Sequence, residues 1–316
     1  VVAGVVLGSS LAAAQVVTPD SWWSPGDGRS MPATLTYDNE RGRVSVLNAT
    51  GRIDTRGHPF FEPLGTNGRA CVTCHQPADG MSISVATLRQ RWDLTQGRDP
   101  VFAAVDGSNC PNLPQQARAS HSLLLDRGLF RIFLPWPPRS RSGGAITPEF
   151  TIEVVRDPTG CNTDPVLGLH SPTPTISVFR RPRVVGNLKY VTQADRIAMP
   201  FEVKSGEPLD TDPETGARVS MNLMADSREA TLKTQAVSAA QGHLQLQGDL
   251  ARDKLQRIVD FESQLYVAQS YDRKAGELAG PGSPPGLGPM AMQRETPGVL
   301  RNGATQSLMM DFSAWR

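Results

Sequence analysis

The sequence contains one short motif whose residue types and spacing define a chemistry: Cys-Val-Thr-Cys-His at residues 71–75. Two thiols three positions apart can add to the two vinyl groups on one edge of a porphyrin, and His75 can then bind the iron as its proximal ligand. A zinc site or a redox dithiol would also use Cys71 and Cys74, but zinc needs two more ligands and the sequence has no second Cys-x-x-Cys. Because Cys-x-x-Cys-His is the attachment signature of a c-type haem, we expect one covalently attached haem c held by Cys71, Cys74 and His75.

The iron has a second face, and the strongest helix signal in the sequence, at residues 226–243, offers a ligand for it. Leu232, Ala236, Ala239 and His243 recur there at spacings of four, three and four, which places His243 on the buried face of a helix. His243 is then either a core histidine with its hydrogen bonds satisfied, or the second iron ligand or a distal acid/base. The other candidates for the iron are Met199, Met224, His121 and His170.

Composition indicates a globular protein with much irregular structure. Hydrophobic residues make up 39% and charged residues 20% of the 316 residues, which is enough for a core in one large domain or two modest ones. The net charge of +1 gives no argument for a nucleic acid or an acidic protein as partner. The 29 glycines and 26 prolines predict long loops around a few helices, since proline stops regular elements.

The first residues and the two remaining cysteines bear on the compartment. Residues 1–17 are largely apolar and contain Ala12-Ala13-Ala14, which is typical of an export signal with a signal-peptidase site. They indicate an export signal remnant or a short membrane anchor, so we expect a periplasmic protein, free or anchored through these residues. Cys110 and Cys161 match no ligand spacing. In an oxidising compartment they would form a disulfide, and the alternative is two buried thiols.

Residue patterning predicts a mainly α fold with a small β-ribbon. Besides the helix that carries His243, three helices are predicted, at 82–94 with Ser84 as N-cap, at 115–127 and at 247–270. Two alternating stretches, 129–134 and 150–155, are predicted to pair as the ribbon. The predicted domains are an N-terminal extension (18–50), a haem domain (51–270) and a Gly/Pro-rich tail (271–316).

A basic run follows the second predicted strand and contains Arg180, Arg181, Arg183 and Lys189. Such a run is either a solvated surface or a partner for the haem propionates, for which arginine is the most suitable residue. Arg181 is our haem-binding candidate from this run.

Several segments together resemble the N-terminal haem domain of the bacterial di-haem cytochrome c peroxidase family, in its longer-chain branch. These segments are 67–75, 106–111, 156–162, 180–182 and 227–243, the last with its Arg-x-x-Thr-Leu-x-x-Gln-Ala pattern. The resemblance implies a mostly helical, cytochrome-c-like domain with long loop insertions, and a haem at which peroxide reacts. It also implies that the segment after Gln235-Ala236 supplies a distal acid or an axial neighbour. Gln241 and His243 lie in that segment.

This sequence departs from the family pattern in one respect that affects function. Family members carry a second Cys-x-x-Cys-His, for the haem that relays the second electron to peroxide, and this sequence has none. Either the sequence is truncated before a second haem domain, or that domain was lost. For a lone haem we expect that it passes electrons to or from a redox partner protein or a membrane electron-transfer complex. The alternatives are a peroxidase-type enzyme, with His243 as its catalytic acid/base, and a structural subunit that keeps the fold.

Overall fold

The structure of the chain, a computed structural model, describes residues 21–138, 144, 146–192, 223–226, 228–283 and 286–294. The export signal or anchor predicted at residues 1–17 and the candidate ligand Met199 lie outside these residues.

Eight strands and six α-helices form the regular structure of the described residues. The strands are β1 (Ser30–Met31), β2 (Thr34–Asn39), β3 (Gly42–Asn48), β4 (Ile53–Asp54), β5 (Phe130–Pro135), β6 (Thr175–Arg180), β7 (Leu265–Asp272) and β8 (Gly276–Glu277). The helices are α1 (Val85–Thr95), α2 (Ser122–Arg127), α3 (Leu188–Thr192), α4 (Leu232–His243), α5 (Arg252–Ser263) and α6 (Gly288–Arg294).

The largest sheet brings early and late parts of the chain together. Its antiparallel strands lie in the order β2-β3-β7-β8. Gly42 lies where β3 meets β7, and a Cβ at this position would lie 2.2 Å from the carbonyl oxygen of Tyr271. Its φ of +147° is also open to glycine alone among common residues. Glycine therefore permits the close approach beside the register shift between Arg43 and Val44.

This architecture corrects the predicted fold class. Helix accounts for only 29% of the described residues and strand for 18%, spread over several sheets. The prediction of a mainly α, cytochrome-c-like domain is therefore wrong. The physical reason is that β3 pairs along its length with β2 on one side and with β7 on the other, a distant partner that local patterning does not reveal. The boundary predicted between an extension and a haem domain at residue 50 is crossed by the β3–β7 pairing.

The predicted β-ribbon is half right. β5 forms where the first strand was predicted, but it pairs with β6, from Phe130 opposite Arg180 to Pro135 opposite Thr175. Residues 150–155 form no strand. Both residues 150–155 and the residues of β6 alternate apolar and polar side chains, and this local pattern does not show which of the two stretches pairs with β5.

The predicted helix starts are right for α1 but wrong for α2, which begins at Ser122 and not at 115, and for α4, which begins at Leu232 after the N-cap Thr231 and not at 226. α1 begins after Ser84, whose hydroxyl accepts a hydrogen bond from the backbone N–H of Thr87 at 3.1 Å. α2 ends at Gly128, which adopts the left-handed conformation of a C-cap. The helix predicted at 247–270 is shorter, because the chain turns after Ser263 and continues as β7.

The core lies between the large sheet and helices α4 and α5. The aromatic rings of Phe60, Phe61 and Phe261 contact one another edge-on or tilted, with centroid separations of 4.7 to 5.2 Å. Ile258 and Leu265 belong to the same cluster. This core packs directly against Cys71. Within the described part of the chain, no helix has the length and apolarity that crossing a membrane requires.

Candidate functional site

The turn that carries the two motif thiols is fixed by hydrogen bonds on both sides. Residues Cys71–Thr73 form one 3-10 turn, and the thiols of Cys71 and Cys74 are free and partly buried. The side chain of Gln76 donates from Nε2 to the carbonyl oxygens of Val72 (2.6 Å) and Trp23 (3.0 Å). The backbone N–H of Trp23 donates to Oε1 of the same side chain at 2.8 Å. The turn is therefore held rigidly before any ligand binds.

The ring of His75 is held in one tautomer. Its Nδ1 lies 3.0 Å from the carbonyl oxygen of Met81, and since that oxygen can only accept, Nδ1 carries the proton. The lone pair of Nε2 is then available to a metal, as in most metal-binding histidines. Burial lowers the pKa of His75 to about 4, with a smaller effect of His243 in the same direction, so the imidazole is neutral at neutral pH.

Met81 reaches this position through a strained backbone. Its φ of +61° lies in the left-handed region that side chains other than glycine rarely adopt. Its N–H donates to the carbonyl oxygen of Gln76 at 2.9 Å, which closes a tight loop behind His75. Such strain persists only where the surrounding structure imposes it, and it is common at functional sites.

His243 is held in the same way, by a carboxylate. Its Nδ1 lies 2.7 Å from Oδ2 of Asp106, so Nδ1 carries a proton that it donates to the carboxylate, and Nε2 is the ring nitrogen left for another partner. Burial raises the pKa of Asp106, but Arg69 and His243 outweigh burial and the net pKa is lowered. Asp106 is therefore an anion at neutral pH, and it strengthens the electron donation of His243.

Arg69 joins Asp106 and His243 to the loop before the motif. Its side chain is fully buried, and NH1 contacts Oδ1 of Asp106. The guanidinium also donates to the carbonyl oxygens of Pro100 (2.6 Å), Val101 (2.7 Å) and His243 (3.2 Å). The side chain of Asn67 donates to the same His243 carbonyl at 2.8 Å. The end of α4 is thus bound to the segment that leads into Cys71.

One cavity of about 610 Å³ brings these groups together, a volume typical of cofactor sites. Leu232, Ala236, Ala239 and His243 all line it, so the predicted face of α4 is the face that it turns to the cavity. The motif and its neighbours line it as well: Arg69, Cys71, Cys74, His75 and Asp106. His75 and His243 therefore line the same cavity, as the hypothesis of two histidine ligands predicts.

Arginines from the predicted basic run also line the cavity. They are Arg180, Arg181 and Arg183, joined by Arg228 from the segment before α4. Arg180 and Arg228 share Asp226, at 2.5 and 2.7 Å. The exposed Arg181 donates from Nε to the carbonyl oxygen of Arg127 at 2.7 Å. Four guanidinium groups therefore lie at the wall of the cavity, and arginine suits an anionic ligand with several oxygen atoms.

The other ligand candidates are placed differently. His121 is buried away from the cavity, with Nδ1 2.6 Å from the carbonyl oxygen of Gly107 and Nε2 2.9 Å from that of Gln115. His170 is exposed. Gln241 is exposed and donates to the carbonyl oxygen of Gly248 at 3.2 Å. Met224 lines the cavity and remains a candidate on position alone.

Cys110 and Cys161 form the predicted disulfide, with their sulfur atoms 2.10 Å apart and their Cα atoms 5.4 Å apart. Both residues are fully buried. The bridge fixes the loop that follows Asp106, and this loop also contains Gly107, the partner of His121.

Sequence reasoning gave no role to three residues of the site: Arg69, Asp106 and Met81. Arg69 and Asp106 lie in segments that contributed to the family resemblance, but nothing in their local pattern shows that they meet. The acceptor in Met81 is a backbone carbonyl, which residue type does not reveal. The sequence carries one clue to the role of Asp106: it is a carboxylate in a Gly/Asn-rich loop between the Cys-x-x-Cys-His motif and the helix that carries His243.

Comparison of the chain with known protein families, characterised proteins and solved structures finds no match. The resemblance to di-haem peroxidases thus stays a prediction. The described residues also contain no group of three or more His, Cys, Asp and Glu side chains placed to hold a bare metal ion.

The residues that line the cavity fit a covalently attached haem. Two free thiols are available for thioether bonds, and two imidazoles with Nδ1 tied to a fixed acceptor would be available to the iron. The arginines offer charge for two propionates. A bare zinc or a redox dithiol would leave both the cavity and these arginines without a role.

Proposed function

We propose that the protein carries one haem c in this cavity and passes single electrons. Cys71 and Cys74 would form the thioether bonds, and His75 and His243 would bind the iron from its two faces. One observation carries the proposal: both histidines line the same cavity, and each has its Nδ1 tied to a fixed acceptor, which leaves Nε2 for iron.

The residues around the haem would set its properties by position and charge. When bound, the haem supplies an iron that exchanges one electron between the ferric and ferrous states. Met81 and Asp106 keep the two imidazole rings from turning, so little rearrangement is needed when an electron arrives. Asp106 also makes His243 a stronger donor, which favours the oxidised state. The arginines that line the cavity, Arg181 among them, would neutralise the propionates.

A six-coordinate site limits the chemistry. If His75 and His243 both held the iron, peroxide would find no open position on it, and electron transfer would be the reaction that remains. The proposed partner is a redox protein or a membrane electron-transfer complex. The disulfide between Cys110 and Cys161 supports a periplasmic location, because such bonds persist in oxidising compartments.

A second candidate function, peroxide reduction, rests on the Asp106–His243 pair. A histidine whose Nδ1–H is bound to a buried carboxylate is also the arrangement of a general base. If His243 stands off the iron, its Nε2 could take a proton from peroxide and return it to the leaving oxygen. The two functions differ in whether the His243 ring binds iron.

Absorption and resonance Raman spectra of the haem-loaded protein test both functions. The electron carrier predicts low-spin, six-coordinate bands in the oxidised and reduced protein. His243→Ala should convert them to high-spin bands, whereas the matched variant His170→Ala, at an exposed histidine, should not. High-spin bands in the unaltered protein, with rapid reaction on adding peroxide, would establish the peroxidase instead.

The covalent attachment has its own readout. Denatured protein should retain the haem, and the mass should exceed that of the chain by one haem. Cys71→Ala and Cys74→Ala should each leave a single thioether and shift the bands of the pyridine complex. Absence of covalently bound haem after expression with a cytochrome c maturation system would overturn the proposal.

A further inference from the structure

The cavity contains a carboxyl group that the proposed function does not use. Glu262, in the last turn of α5, is only 3% exposed and lines the cavity beside Cys71 and Ile258. Its Oε2 is fully buried and has no hydrogen-bond partner among the described residues. A buried, unpartnered carboxylate is costly, so the side chain is neutral unless a proton is removed at high pH. Consistently, burial raises the pKa of Glu262 to about 8.

The titratable groups around Glu262 come from several elements. Helices α3 and α4 pack against α5 and present Leu188 and Ala236 to the cavity, and α4 also brings His243. The motif brings the Cys71 thiol, whose pKa is raised by its own burial and by Glu262. The remaining charged and titratable groups of the wall are Arg69, Cys74, His75, Asp106, Arg180, Arg181, Arg183 and Arg228.

None of these charged groups acts on Glu262 strongly enough to offset its burial, which is the only cause of its raised pKa. Attachment of haem would turn Cys71 into an uncharged thioether. The proton affinity of the Glu262 carboxyl would then depend on one additional charge, that of the iron. With an effective dielectric constant of about 20, a unit charge about 10 Å away changes a proton affinity by on the order of tenfold.

We propose that Glu262 binds its proton more tightly when an electron enters the cavity, which makes the protein a proton-coupled electron carrier. The inference rests on the proposed haem site. The redox partner supplies the electron and solvent supplies the proton. Where Glu262 is ionised, the proton would convert its carboxylate to a neutral carboxylic acid as the iron gained the electron, and the added negative charge would be offset in part. Reoxidation releases the proton.

The test is the reduction potential of the haem-loaded protein, measured by spectroelectrochemistry from pH 5 to pH 10. A tenfold change in proton affinity corresponds to about half a proton per electron, so we expect the potential to fall by about 30 mV per pH unit between the pKa values of Glu262 in the oxidised and reduced protein, against about 59 mV for a full proton per electron. Glu262→Gln should abolish this slope. Asp260→Asn should retain it, because Asp260 is an exposed acid on the same helix.

A difference infrared spectrum, reduced minus oxidised, provides a second measurement. Within the sloping pH range, a carboxylic acid C=O band should appear on reduction of the unaltered protein and be missing from Glu262→Gln. A potential independent of pH in a protein with low-spin haem bands would overturn this inference and leave the proposed function standing. So would an unchanged slope in Glu262→Gln. Absence of haem would overturn both.

Discussion

Asp106 and His243 are 137 positions apart in the chain, and Oδ2 of one lies 2.7 Å from Nδ1 of the other. The same carboxylate contacts the fully buried Arg69. This pairing turns three distant segments into one support for the cavity: the loop before the motif, the loop before the disulfide, and the end of α4. Each of the following predictions tests a part of this arrangement.

Asp106→Asn should destabilise the protein strongly. It removes the partner of a buried guanidinium, and breaking such a pair costs about 3–5 kcal/mol. In the haem-loaded protein the reduction potential should also rise, because His243 becomes a weaker donor. Denaturant unfolding and spectroelectrochemistry measure the two effects. Asp54→Asn is the control, since it removes an exposed ion pair with Arg56 and should change neither quantity.

Glycine at position 65 is required by the approach of the pre-motif loop to the end of α4. A Cβ there would lie 1.8 Å from the carbonyl oxygen of Leu244, so Gly65→Ala should lower the melting temperature and the low-spin fraction of the haem. Gly242→Ala is the matched variant. Gly242 lies inside α4 with open space around it, and alanine there should stabilise the protein by about 0.4–1 kcal/mol. If Gly65→Ala and Gly242→Ala changed the melting temperature equally, the predicted clash at position 65 would be contradicted.

His121 is predicted to stabilise the protein and to have no influence on the haem. Both of its ring nitrogens face carbonyl oxygens, and the N–H of the ring donates to one of them, so His121→Phe leaves a buried acceptor without its donor at about 1–3 kcal/mol. Unfolding should therefore occur at lower denaturant while the absorption spectrum of the haem stays unchanged. A change in spin state would show instead that His121 reaches the iron. His170→Phe, at an exposed site, should alter neither measurement.

Glu262 should make stability depend on pH. Burial raises its folded-state pKa from 4.5 to about 8, so between these values the folded state holds more protons than the unfolded state. Stability should consequently fall as pH rises from about 4.5 to about 8, and stay level above this range. Unfolding free energies measured across this range should fall less steeply in Glu262→Gln. Parallel pH curves for the two proteins would contradict the assignment.

The sequence predicted the features that depend on neighbouring residues. The capping of α1 by Ser84 and the cavity-facing stripe of α4 both follow from spacing within one helix. The Cys-x-x-Cys-His motif is likewise a pattern of neighbouring residues. Even the disulfide needed only the count of cysteines and a compartment.

The features that depend on distant pairing escaped prediction. The partner of β5 lies some 45 residues away across a loop and a turn, and a closer alternating stretch competes for it. Residues 265–272 continue an amphipathic pattern that reads equally well as helix, until β3 provides a strand to pair with. The contacts of Arg69 with Asp106, and of Asp106 with His243, exist only once these elements have packed.

The β3–β7 pairing has a consequence for the order of assembly. Its two strands flank the attachment motif in the chain, one before it and one long after, so the sheet closes only when the late strand has been synthesised. Contacts between such distant segments form slowly. Until β7 pairs with β3, Cys71 and Cys74 therefore lie on a chain whose cavity has no finished wall, and their thiols are more accessible than in the folded protein.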